Sequence, residues 1–315
     1  MDITAVVTVT DDGGSSGRLR REFDILPPGD IRNCMVALSR DETFMARLFQ
    51  YRFASGRGLK GHSFGNLFLT AMADLTGDFR RAVQYSTQVL EVLGRIYPAT
   101  NANVVLEATL VNGKKVAGET RISRSRSRIE KIALKPRRAR PLQETLDAIA
   151  NADLITLGPG SLFTSVIPNL LVEGIPEALA ASPALKVYFV NLMSQPGETT
   201  AFRASDHVAA LLRHCGRHSG LGKSRGVLDA VVVNQAPIPM KILGLYEAKA
   251  AQQVVPDHET LRKLVPEVLE ADLVGKLPDL AGQKIRHDPS ALATIALGLA
   301  RRGRQRRYCA KQAAG

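Results

Sequence analysis

The sequence has 315 residues, is 45% hydrophobic, lacks tryptophan and carries a formal net charge of +12. That length allows one large domain or a domain with a subdomain, and the absence of any run of about 18 apolar residues argues against a membrane span. Cys34, Cys215 and Cys309 lie far apart, without metal-type spacing, which argues against a disulfide framework or zinc site and for a reducing cytoplasm. No positively charged leader followed by an apolar segment opens the sequence, so no export signal is expected. A β-branched strand, Ile3–Val9, enters the loop Asp11-Asp12-Gly13-Gly14-Ser15-Ser16-Gly17-Arg18, and a helix carrying Leu19 and Phe23 follows. Glycines let the backbone come close to a ligand, and amides at a helix start favour phosphate oxygens. Two adjacent carboxylates repel bare phosphate, so the pair makes most sense with a divalent cation between them.

After Pro27-Pro28-Gly29, Asp30 stands where a helix N-cap belongs. A second helix is expected over Thr43–Tyr51, with Phe44, Leu48 and Tyr51 as its stripe. Gly56–Asn66 then opens a helix capped by Ser63, in which Gly65 permits close packing. His62 is open to three readings: a phosphate contact, a general acid or a structural residue. A further helix follows Asp78 and runs to about Leu90.

The pattern then changes. Val104–Val111, Asn112-Gly113 and Lys114–Ile122 read as a hairpin. The Arg/Ser alternation of Arg121–Arg128 reads as exposed strand, with a phosphosite as a weaker alternative. The α/β rhythm returns with a helix over Leu142–Asn151 and a buried strand, Asp153–Leu157. That strand feeds a second glycine loop, Gly158-Pro159-Gly160-Ser161, at the strand's carboxyl end, where open α/β sheets bind ligands. It is neither the dinucleotide fingerprint nor a Walker loop. The strand Lys186–Asn191 ends in Asn191 and, four residues on, Gln195; these amides either read a base edge or close a turn. A helix at Ser205–His214 and a strand at Val227–Asn234 follow. The remainder reads as mostly helical, with Arg286 and His287 ahead of a helix at Ser290–Ala300. The basic stretches Arg121–Arg140 and Arg301–Lys311 are expected to be a solvated face and a frayed tail, with no specific nucleic-acid partner.

Taken together, DDGGSSGRLR, PPGDIRNCMVALS, LFQYRF, GHSFGNL, ADLITLGPGSLFTSVIPNLLV, NLMSQPGET, SDHV and IRHDP resemble the YvcK/CofD-like family, closest to its gluconeogenesis-factor branch. The resemblance implies a single cytoplasmic α/β domain over 1–315. Its core would be Rossmann-like and three-layered, with a mainly parallel sheet and an antiparallel hairpin excursion. A β-rich insertion is expected at about 95–140 and a mostly helical part at about 238–305. The implied ligand is a UDP-sugar, or NAD(P), bound reversibly rather than as a resident cofactor. The implied residues are Gly13, Gly14, Ser15, Ser16, Arg18, Asn33, Ser63, Asn66, Gly158, Gly160, Ser161, Asn191, Gln195 and Arg286. Mg2+ would fall on Asp11, Asp12 and Asp30. The branch is linked to normal cell shape on gluconeogenic carbon sources, which implies a cell-wall-synthesis or signalling protein as partner; a homodimer is a further expectation. The other branch is enzymatic and transfers a phospholactyl group from a guanosine diphosphate donor; in that reading Asp12, Asp30 and His62 are the catalytic candidates. Family members also carry a strand and a GGGTG-type loop ahead of the present Met1. Either a start codon assigned too late, the favoured reading, or a truncated variant is therefore expected, together with a parallel sheet that lacks an interior strand.

Overall fold

A computed structural model describes residues 1–40, 44–125, 127–219, 226–275 and 284–313. β1 (Thr4–Val7) leads through the first glycine loop into α1 (Gly14–Phe23). α2 (Gly29–Ala37), α3 (Phe44–Gln50), α4 (Phe64–Thr76) and α5 (Phe79–Val89) precede β2 (Arg95–Pro98). β3 (Val105–Leu110), β4 (Lys115–Ala117), a short helix α6 (Glu119–Ser123) and β5 (Ile129–Lys135) come next, then α7 (Gln143–Asn151) and β6 (Leu154–Leu157). A π-helical turn (Leu162–Val166) runs into α8 (Ile167–Leu170), followed by α9 (Ile175–Ala181), β7 (Leu185–Phe189), α10 (Ala204–Ser219) and β8 (Ala230–Asn234). α11 (Met240–Glu247), α12 (His258–Leu264), β9 (Glu267–Ala271) and α13 (Pro289–Ala313) complete the order.

The fold is α/β, with mainly parallel sheets and one antiparallel excursion. β1 and β2 pair in parallel, β6-β7-β8-β9 form a parallel sheet of four, and β4-β3-β5 are antiparallel. Alternate residues of the four-stranded sheet serve two cores, as the period of a strand requires. Tyr188, Val190, Val231 and Val233 join the larger cluster with β1, the antiparallel sheet and α10, whereas Val187, Phe189, Ala230 and Val232 face α11 and α13. Among the described strands β1 has only β2 beside it and β6 only β7. β6 is therefore an edge and not the buried strand expected: Leu154, Ile155 and Leu157 are half-buried and Thr156 is exposed.

Local signals place several elements as expected. Ser63 Oγ accepts from the Asn66 amide and Asp78 Oδ1 from the Arg81 amide, each capping its helix. Gly113 takes φ +79° in the hairpin turn. Other expectations are corrected. The described part of the Thr43–Tyr51 helix buries Ala46 and Phe49, while Phe44 and Tyr51 are exposed; Thr43 lies outside the described residues. The second hairpin strand stops at Ala117, and Arg121–Ser123 are helical, because Gly118, at φ +94°, turns the chain out of the strand. Asp30 is not an N-cap: Pro28 holds that place, and Asp30 lies inside the first turn of α2. The C-terminal stretch read as mostly helical also supplies β9.

The largest correction concerns the tail. It is the second half of α13, docked under the four-stranded sheet. Arg302 pairs with Glu267, Arg304 and Arg307 with Asp153, and Arg306 with Asp229, at 2.8–3.2 Å. These acids stand at the amino ends of β9, β6 and β8, which the charge count alone does not reveal. Gly303 makes the close approach possible, since a Cβ there would lie 1.9 Å from the Asp153 carbonyl oxygen. Gly303→Ala should lift this end of the helix and cost about 2–4 kcal/mol, overpacking against backbone being hard to relieve; urea denaturation reads it, and an unchanged midpoint would refute the docking.

Candidate functional site

α1 follows β1 across the first glycine loop, with Gly13 at its N-cap and no side chain capping it. The amides of such a helix start attract anions. The loop is held tightly. Asp11 Oδ1 accepts from the Gly13 amide at 2.8 Å. A Cβ on Gly17 would stand 1.9 Å from the Asp12 carbonyl oxygen, and one on Gly29 2.4 Å from Ser16 Oγ and 2.9 Å from Asp11 Oδ2. The first approach tightens the loop onto α1, and the two at Gly29 bring α2 against it around a cavity of about 170 Å³, lined by Asp11, Gly13, Gly14, Ser15, Ser16, Gly29, Asp30, Arg32, Asn33, Arg52 and Asn66.

The cavity wall is charged and incompletely paired. Arg32 is 9% exposed; one terminal nitrogen donates to Ser63 Oγ at 2.6 Å, the other to Asn33 Oδ1 at 2.5 Å, and its Nε is buried without a partner. Asn66 is 2% exposed; its Nδ2 donates to Ser16 Oγ at 3.3 Å and its Oδ1 has no partner. Burial, then the Asp11 charge, pushes the Asp30 carboxyl up to about 6, against the pull of Arg32. Burial, then Arg18, lowers His62, whose Nδ1 lies 3.0 Å from Ser15 Oγ, so the imidazole is neutral at pH 7.

Two of the expected residues face elsewhere. The Arg18 guanidinium donates to the Lys60 carbonyl at 2.9 Å, and the cations of the cavity are Arg32 and Arg52. Asp12 turns from Asp11 towards α6: its Oδ1 accepts from the Thr120 amide at 2.8 Å, and a Cβ on Gly118 would meet its Oδ2 at 2.2 Å. Among the described residues no three His, Cys, Asp or Glu side chains group as metal ligands. The pair facing a common space is Asp11 with Asp30.

The second glycine loop forms a separate cluster with the loop after β7. Gln195 Nε2 donates to Ser161 Oγ at 2.8 Å. Glu198 is 3% exposed and receives Ser123 Oγ at 3.1 Å, Thr164 Oγ1 at 3.3 Å and the Phe163 amide. Burial raises its carboxyl despite those donors. Gly197, at φ +82°, sits where a Cβ would be 2.0 Å from the Ser125 carbonyl oxygen. Gly158 takes φ +68° and Gly160 is half-buried beside Ser161. Asn191 Oδ1 and Gln195 Oε1 are buried without partners. Arg286 is exposed, next to His287, whose Nε2 is 3.1 Å from the Val190 carbonyl oxygen at the end of β7.

α6 joins the two clusters. One end holds Asp12 through Thr120 and Thr10 through Glu119, and the other holds Glu198 through Ser123. Burial, then Asp11 and Asp30, pushes the Glu119 carboxyl up to about 8, so it is protonated at pH 7. Arg32, Arg52, Glu119, Thr120, Ser123 and Glu198 were not singled out from the sequence. Arg32 stood between the flagged Asp30 and Asn33, and Gly118-Glu119 has the glycine and first-turn acid of a helix start.

A family model described as 2-phospho-L-lactate transferase CofD matches residues 1–274. The gluconeogenesis factor of Bacillus subtilis (strain 168) is 47% identical over 299 residues, covering 95% of this chain and 90% of that protein. The gluconeogenesis factor of Halalkalibacterium halodurans is 47% identical over 264 residues, covering 84% and 80%. A crystal structure of a UPF0052 family member from Bacillus halodurans superposes with a TM-score of 0.86 at 44% identity, covering 94% of this chain and 91% of that one.

Proposed function

The chain belongs to the CofD family, in its gluconeogenesis-factor branch, and from that premise we propose that it is a regulator that binds a nucleotide sugar, the diphosphate entering the cavity at the carboxyl end of β1. One observation carries the reading: Arg32 Nε and Asn66 Oδ1, a donor and an acceptor in the cavity wall, are buried and unpaired. Each costs about 1–3 kcal/mol while it stays so. A phosphate oxygen serves Arg32, and a hydroxyl or amide serves Asn66.

Mg2+ suits the remaining charge. Asp11 and Asp30 would hold it, because the Asp11 charge already raises the proton affinity of Asp30 and a carboxylate so placed gains from a shared cation. It would neutralise the diphosphate. Asp12 would act at one remove, by fixing α6. The branch supports a cytoplasmic role in cell shape on gluconeogenic carbon sources, exerted through a cell-wall-synthesis or signalling protein, with the homodimer as a second assembly. Among the described residues no single helix is long and apolar enough to cross a membrane.

Calorimetry against UDP-N-acetylglucosamine with magnesium tests the reading. Arg32→Ala should weaken binding about 10–100-fold, the worth of a charge-assisted hydrogen bond. No heat from the unmodified protein well above micromolar ligand would overturn it.

A second reading is supported by the Asp11–Asp30 pair: transfer of a phosphorus-containing group from a nucleoside diphosphate-linked donor to an acceptor hydroxyl. In it the neutral His62, beside Ser15 Oγ, is placed to accept a proton. Release of nucleoside monophosphate from such a donor would favour this reading over the first.

A further inference from the structure

α4 is a surface helix with the composition of a buried one. Asp74 is its only charged residue, and FGNLFLTAMADLT is apolar almost all round. Helices of that kind are covered on every side. The inner side is covered here: Gly65, Asn66, Leu69, Thr70 and Ala73 are buried. The outer side is not. Phe64, Leu67 and Phe68 are half-buried, Ala71 is exposed and Leu75 is 80% exposed, at spacings that align them on one stripe.

α3 widens that stripe. The Phe64 amide donates to the Tyr51 carbonyl at 2.8 Å, so the two helices part from a common point. Beyond it the Phe49 ring meets those of Phe64 and Phe68, at centroid separations of 5.9 and 5.0 Å. The apolar series Phe44, Leu48 and Tyr51, expected to face the core, looks outward instead, with Phe44 75% and Tyr51 52% exposed. At about 200 Å² for a fully exposed large side chain, Phe44, Tyr51 and Leu75 present about 400 Å². A lone chain rarely leaves so large an apolar patch bare.

We propose that the outer face of α3 and α4 docks a second copy of this chain, α4 crossing its counterpart antiparallel at Ala71. Area, charge and shape each favour a copy as the occupant. The half-buried side chains bring the apolar centre to about 600 Å², and a polar rim brings it to the ~800 Å² that each partner gives to a standard interface. Two chains of net charge +12 repel, and they meet most readily through a face that carries no charge at its centre. In a two-fold contact every pairing is reciprocal. Leu67 and Leu75 stand equally far on either side of Ala71, so each lies opposite the other's counterpart, while the smallest side chain of the stripe meets itself and lets the helices close. The homodimer of the proposed function thereby has a surface, and it forms without ligand.

Sedimentation equilibrium of the full chain without ligand, up to about 100 μM, tests this. The unmodified protein should sediment at twice 34.1 kDa. Phe44→Glu and Leu75→Glu change side chains that the fold of one chain leaves exposed, and each should raise the dissociation constant about thirtyfold or more, as interface anchors do. Val111→Glu, 66% exposed at the hairpin, should leave it unchanged. Ala71→Cys in a Cys309→Ser background should join to itself through a short thiol-to-thiol cross-linker, and its failure to do so in a dimer would overturn the antiparallel crossing. An unmodified protein that stays monomeric overturns the second copy and leaves the face to a different protein. A dimer that survives both glutamates overturns the face. Should a glutamate variant fail to fold, the cross-link decides alone. Leu75 stands at the far end of α4 from Asn66, so calorimetry of Leu75→Glu with UDP-N-acetylglucosamine should match the parent and reads the proposed function separately.

Discussion

Gly17→Ala should abolish ligand binding at the first loop and destabilise the protein by about 3 kcal/mol or more, roughly 4–5 °C in melting temperature. The added methyl would be 1.9 Å from the Asp12 carbonyl oxygen, a backbone atom that cannot yield unless the loop moves. Asp12 also holds Thr120, so displacement carries α6 with it. Helix propensity works the other way, since alanine is favoured over glycine by about 1 kcal/mol in a helix interior, and the collision outweighs it. Gly14→Ala is the contrast: nothing lies within 4 Å of its added methyl, and only its φ of +46° opposes the change, at a cost of about 1 kcal/mol. Thermal unfolding with parallel calorimetry checks both; equal melting temperatures for the two variants would refute the packing argument.

The second large effect is on pH. Glu119 titrates near 8 and Asp30 near 6 in the folded chain, both above their unfolded values. The folded state therefore binds these protons more tightly than the unfolded chain. Stability is greatest with both carboxyls protonated and falls as pH rises through 6 and then 8. For the ligand-free protein this amounts to about 4 kcal/mol between pH 5.5 and pH 8.5. Glu119→Gln, which imitates the protonated acid, should flatten most of the curve. Melting temperatures across that range measure it, and a Glu119→Gln profile as steep as the parent's would show the burial to have been misjudged.

What the sequence revealed was local. Ser63 and Asp78 are legible as caps because their partners lie three residues on. The strand–glycine–helix units are legible because β-branched runs and glycines are contiguous. α6 was not. Arg121–Arg128 alternates as a strand does, and only Gly118, bent around Asp12 more than 100 residues earlier in the chain, converts its start to helix. Arg18 and Arg32 are equivalent in a list of charges. The approach of Gly65 to Arg32 and Phe49, which no single segment encodes, selects the second for the cavity. Glu198 reads as a turn residue until its partners Ser123 and Thr164 arrive from two other segments.

The docking of α13 bears on the opposite end of the molecule from the ligand. Lys186 in the sheet offsets Asp229 at 3.4 Å, and the arginines of the final helix serve as counterions to Asp153, Asp229 and Glu267. Each exposed pair contributes only about 0–1 kcal/mol, and molar salt shortens electrostatic reach to about 3 Å. The foundation of the parallel sheet is thus ionic where its upper rim is held by close steric packing. Concentrated electrolyte, or trimming behind Leu299, would loosen the molecule from below while the glycine-packed loops kept their shape.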